Sequence, residues 1–124
     1  MHGGGWKLLS IDTHDRLMRE YASRADVVVI GVDYALAPEA KFPIAQHQVA
    51  HVVQWTLAHA AELEIDSNRI ALGGDSAGGN LAITTALRLR DESEPNAVGA
   101  LVLNYAAIDV YCAPEAVQRY GYEG

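Results

Sequence analysis

Apolar positions recur at two different spacings along this chain, and the switches between them mark out its elements. Within residues 12–23, Leu17, Met18 and Tyr21 fall on one helical face, which predicts a helix capped by Asp12 or Thr13. Residues 27–33, Val-Val-Val-Ile-Gly-Val-Asp, form a nearly continuous β-branched run. Such a run without alternation predicts a strand buried on both faces of a parallel sheet. Pro38 and Pro43 hold off any helix until Ile44. From 43 to 62 the spacing of Ala45, Val49, Val52, Val53, Leu57 and Ala60 is again helical. Residues 69–73 predict a second strand that runs straight into Asp75 and Ser76, and Leu81, Ala82, Thr85 and Leu89 mark the helix that follows. The polar stretch 91–97, with Pro95, predicts a surface loop, and 98–105 a third strand.

Strands alternating with helices of about four turns imply right-handed crossovers and an α/β domain, a parallel sheet with helices on both faces. No repeat, low-complexity tract or linker interrupts residues 1–124, so one domain is expected. Half of the residues are apolar and a fifth charged, the balance of a folded globular chain. The longest apolar runs are about one strand long, against the roughly 20 residues of a membrane span, so no span is expected. Nine basic residues against sixteen acidic ones leave a net charge of −7. With no Lys/Arg cluster, nucleic acid is excluded as a partner. No basic segment followed by an apolar one opens the sequence, and a cytoplasmic setting is the expectation. Cys112 is the single cysteine, which rules out an intrachain disulfide and reads as an ordinary free thiol.

The chemistry concentrates in two short stretches. Gly74-Asp75-Ser76-Ala77-Gly78 has the form G-x-S-x-G at a predicted strand-to-helix turn, where small neighbours leave room for a strained backbone and an approaching substrate. His2-Gly3-Gly4-Gly5-Trp6 is a loop of the H-G-G-G type that supplies backbone donors to an oxyanion. A glycine turn that merely joins strand to helix is the plain alternative for Ser76. Phosphate binding fits poorly, because there is no Lys-Ser/Thr pair or G-x-G-x-x-G spacing and Asp75 would repel an anion. His47 and His51 lie four apart on one helix, but no glutamate follows His47 and no third ligand is evident. They read as a solvated face, and neither a metal nor a cofactor is expected. His14 and His59 read as surface residues, and Asp109, at a strand end, is assigned no role.

Three stretches in order, His2 to Trp6, Asp33-Tyr34-Ala35-Leu36-Ala37-Pro38-Glu39, and Gly74 to Leu81, make the chain resemble the hormone-sensitive lipase group of α/β-hydrolase carboxylesterases. Within that group it is similar to small bacterial acetyl esterases. The match runs from residue 2 to about 109. The resemblance implies Ser76 as nucleophile and the N–H of Ala77 as one oxyanion donor. Two of the glycines in Gly3 to Gly5 supply the rest, with Gly3 and Gly4 taken as the pair. It also implies that His2 shapes the loop rather than acting as base, and that Asp33 and Glu39 take buried structural roles.

The family pattern places the triad acid and base downstream of the serine and a central strand directly before H-G-G-G. The expectation is therefore a partial α/β-hydrolase fold, missing N-terminal and C-terminal portions, whose exposed sheet edges favour homo-oligomers. Two readings follow. In one the chain is part of an enzyme that hydrolyses short-chain acyl esters, a small-molecule substrate, through an acyl-enzyme. In the other it is a non-catalytic interaction or scaffold module that keeps the elbow as a structural turn.

Overall fold

A computed structural model describes residues 1–92 and 95–108, so Asp109 and Cys112 lie outside the described residues. A single 3-10 turn at Ile11–His14 leads into α1 (Asp15–Ala25), followed by α2 (Ile44–Ala58), β1 (Ala71–Asp75), α3 (Ala77–Asp91) and β2 (Ala100–Asn104). The two strands pair in parallel, with Ala71 opposite Ala100 and Asp75 opposite Asn104. Helix α3 connects them, as a parallel pair requires.

Strand β1 sorts its side chains by the two-residue period. Leu72 turns toward α2 and α3 and joins Ala50, Val53, Ala82, Leu89 and Ala97 in one core cluster. Val49, Ala50, Val53 and Thr56 form the buried stripe of α2, at the spacing that keeps residues on one helical face. Ala71, Gly73 and Asp75 line a cavity of about 370 Å³, with Leu17, Met18 and Tyr21 of α1 also on its wall.

Two expected elements differ. Residues 27–33 form no strand. Residues 27–32 line the same cavity, which Ala71 and Gly73 bound as well, and Val27 to Ile30 stay 36–57% exposed. A β-branched run supplies strand-like side chains, but a strand also needs a hydrogen-bonded neighbour, and no described strand pairs with this one. The chain start stands near that space: the Met1 amine donates to Gly73 O at 2.7 Å. The first helix also begins later than its pattern suggests, at Asp15, with no side-chain cap. Thr13 gives its hydroxyl proton to Ser10 O at 2.6 Å, closing the 3-10 turn.

Candidate active site

Ser76 is the sharp joint between β1 and α3. Its backbone lies at φ 48°, ψ −117°, a region that L-residues rarely adopt and that is held only when the surroundings over-determine it. The surroundings do so here. The Ser76 N–H donates to Asn104 O at 3.0 Å, and its carbonyl accepts from Asn80 N and Ala107 N at 3.1 and 3.0 Å. The Ser76 hydroxyl does not cap α3. It has no hydrogen-bond partner among the described residues.

The flanking glycines are required by close approach. A Cβ on Gly74 would stand 2.4 Å from the backbone of Gly78, and one on Gly78 would stand 2.3 Å from Met1 O and 2.6 Å from His2 O. The elbow is thus packed backbone to backbone against the start of the glycine loop. The link is completed by Asp75, whose Oδ1 accepts the N–H of Gly3 at 3.1 Å. Gly3, expected as an oxyanion donor, has therefore given its N–H to a carboxylate. Among the described residues no hydrogen bond takes up the N–H of Gly4, Gly5 or Ala77. Ala77 opens α3, where the N–H groups have no helical acceptor and carry the positive end of the helix dipole.

His2 is buried and stacked on Tyr34, with ring centroids 4.4 Å apart. Its Nδ1 lies 2.6 Å from Gly3 O, so Nδ1–H donates across one residue and braces the loop. This is a shaping role, and His2 makes no bond to Ser76. Tyr34 donates its hydroxyl to His2 O at 2.7 Å from below. Burial, reinforced by the negative charge of Asp75, pushes the Tyr34 hydroxyl up to about 12. A raised value means that folding favours the neutral phenol. Its contribution is fully present below pH 10, the ordinary value, and is lost as pH rises toward about 12. Tyr34→Phe is expected to cost about 1 kcal/mol at neutral pH through the lost hydrogen bond. It should also flatten the alkaline fall in melting temperature between pH 10 and 12. Equal alkaline profiles for the two proteins would count against this placement of Tyr34.

Other expected sites resolve differently. Asp33 and Glu39 are both exposed, without a hydrogen bond or ion pair, so the buried roles implied for them do not hold. The residue of that segment that turns inward is their neighbour Tyr34. His47 and His51 lie beside Trp55 along a shallow depression also lined by Ile30 to Asp33. Among the described residues, no three His, Cys, Asp or Glu side chains are placed to hold a metal ion. His14, read as a surface residue, reaches Asp75 instead, Nε2 to Oδ1 at 2.9 Å. Three residues of this centre, His14, Tyr34 and Asp75, were thus missed by sequence reading. The available signal was the place of Asp75 beside the serine: an acid there is buried by the elbow and must find partners.

A protein family described as having an alpha/beta hydrolase fold matches residues 1–123. An ethyl acetate hydrolase of Pseudomonas putida is 40% identical over 121 residues, which are 98% of this chain and 38% of that protein. Among solved structures, a hyperthermophilic esterase of the archaeon Pyrobaculum calidifontis is 43% identical with a TM-score of 0.90, over 99% of this chain and 39% of its own. A thermostable carboxylesterase cloned from a metagenomic library is 41% identical with a TM-score of 0.89, over 98% of this chain and 41% of its own. The chain thus spans about two fifths of the length of these relatives.

Proposed function

The chain belongs to the alpha/beta hydrolase fold family, and from that premise we propose that it carries the nucleophile and oxyanion site of a serine carboxylesterase acting on short-chain acyl esters. The observation that carries this reading is the Ser76 hydroxyl at φ 48°, ψ −117°, which has no partner among the described residues, on an elbow packed against a glycine loop whose Gly4 and Gly5 N–H groups, like that of Ala77, also have no acceptor among them. The hydrolase and esterases among its relatives support the reaction class.

In this reading Ser76 Oγ attacks the ester carbonyl carbon while its proton passes to a base. The carbonyl π electrons move onto oxygen, and that oxyanion is met by Ala77 N–H and by the glycine loop. Gly4 and Gly5 serve better than Gly3 there, because Gly3 N–H is engaged by Asp75. Collapse of the tetrahedral intermediate breaks the bond to the alcohol oxygen, which leaves with the proton. Water then attacks the acyl-serine by the reverse sequence and releases the acid. The base is not among this chain's histidines: His2, His14 and His59 bond elsewhere and none bonds Ser76. We therefore place the base and its orienting acid on segments beyond these 124 residues.

The absence of a histidine at Ser76 is also what the scaffold reading would require, and one experiment separates the two. The chain is exchanged for the matching 121 residues of the P. putida hydrolase, and the hybrid is treated with a fluorophosphonate probe. Labelling of Ser76 is expected. A folded hybrid that stays unlabelled would favour the scaffold.

A further inference from the structure

Asp75 sits one residue before Ser76, and Gly3 one residue before Gly4. The bond from Gly3 N–H to Asp75 Oδ1, 3.1 Å long, therefore spans 72 residues of sequence and ties the two halves of the site within one residue of each reacting group. We propose that Asp75 is a positioning residue, held by His14, whose carboxylate sets the separation between the glycine loop and the nucleophile. This rests on the esterase reading of Ser76.

The geometry leaves the carboxylate little freedom. Asp75 is 8% exposed, and its Oδ2 occupies the space that a side chain on Gly3 would fill, 2.3 Å from an ideal Cβ. His14 holds the same oxygen that accepts Gly3 N–H, Nε2 to Oδ1 at 2.9 Å, with the two side chains 19% and 11% exposed. Two contacts fix the orientation of the His14 ring: Nδ1 stands 2.8 Å from Thr13 Oγ1, and Nε2 faces the carboxylate, to which it donates. The other groups around the carboxylate are the Met1 amine, the Tyr34 hydroxyl and the His2 ring, whose centroid lies 5.9 Å from that of His14. Burial lowers the Met1 amine below its usual range, opposed by Asp75. Among the described residues, His14 is the ring in direct contact with Asp75.

Two variants separate the functions of the carboxylate. Asp75→Asn keeps an oxygen for Gly3 N–H but loses the negative charge. Asp75→Ala removes both partners. In the 124-residue chain, nitrogen-detected NMR is expected to show the His14 Nε2–H hydrogen-bonded in the wild type and released in Asp75→Ala. The Gly3 amide should exchange slowly in the wild type and in Asp75→Asn, and fast in Asp75→Ala. In the hybrid enzyme, Asp75→Ala should lower kcat on the order of 10²-fold with KM little changed, as expected when reacting groups are misplaced by about 1 Å. His14→Ala should lower it less, and His14→Gln, which retains a donor toward Oδ1, should recover most of the loss. An identical His14 Nε2–H signal in wild type and Asp75→Ala, an unchanged Gly3 exchange rate in Asp75→Ala, or loss confined to KM would each overturn the proposal. Failure of the esterase reading shows separately, as an unlabelled parent hybrid.

Discussion

Ser76→Ala is expected to lower ester turnover by the hybrid enzyme on the order of 10⁶-fold, the scale of removing the nucleophile from an assembled catalytic triad. The variant should fold as well as its parent. Alanine keeps the Cβ, so the strain at φ 48°, ψ −117° is unchanged. The hydroxyl it removes bonds nothing among the described residues, so no buried partner is orphaned. A melting temperature within a degree or two of the parent, beside lost p-nitrophenyl acetate hydrolysis, assigns the loss to chemistry. Ser76→Gly gives a second reading of the same joint: it relaxes the strained backbone, so it should be inactive yet no less stable. Residual hydrolysis by Ser76→Ala above that of free imidazole would mean that another group attacks the ester, and the proposed mechanism would fall.

The elbow was legible in the sequence because its constraints are local. Gly74 is small because the next turn of chain, Gly78 and Gly79, stands against it, and the flanking strand and helix announce themselves by their own periodicity. What escaped the sequence was whatever depends on a distant partner. Residues 27–33 have the composition of a buried strand but not the neighbour, and half-exposed valines are the result. His14 turned inward to meet Asp75, 61 residues on, and Tyr34 to meet His2, 32 residues back. Nothing in their own surroundings marks them: His14 ends a polar 3-10 turn, and Tyr34 lies in an irregular loop between Asp33 and Ala35. Asp33 and Glu39 were the reverse case. Their segment carries the resemblance, yet the carboxylates themselves face solvent. The N–H of Gly3 and the ring of His14 escaped notice for the same reason, since both meet Asp75.

The elbow glycines allow a sharper test of packing, because two adjacent positions predict opposite results. A Cβ on Gly74 would lie 2.4 Å from both C and O of Gly78 and 2.8 Å from Gly79 N, all backbone atoms that cannot swing aside. Gly74→Ala must therefore shift the start of α3 against β1, at a cost of about 3 kcal/mol or more, the upper range of overpacking. One residue earlier, a Cβ on Gly73 meets only Val102 Cβ and O at 3.5 Å, ordinary van der Waals contact. Gly73→Ala should be close to neutral, and could stabilise slightly through the lower entropy of its unfolded chain. Urea unfolding at unchanged slope would read the difference as a displaced midpoint. The displacement should carry into function as well, because Gly78 itself stands against Met1 O and His2 O. Pushing Gly78 pushes the glycine loop, so Gly74→Ala should slow fluorophosphonate labelling of Ser76 while Gly73→Ala leaves it alone. Equal effects of the two substitutions on stability would mean that the elbow yields to a methyl group, and the tight coupling between nucleophile and glycine loop would have no mechanical basis.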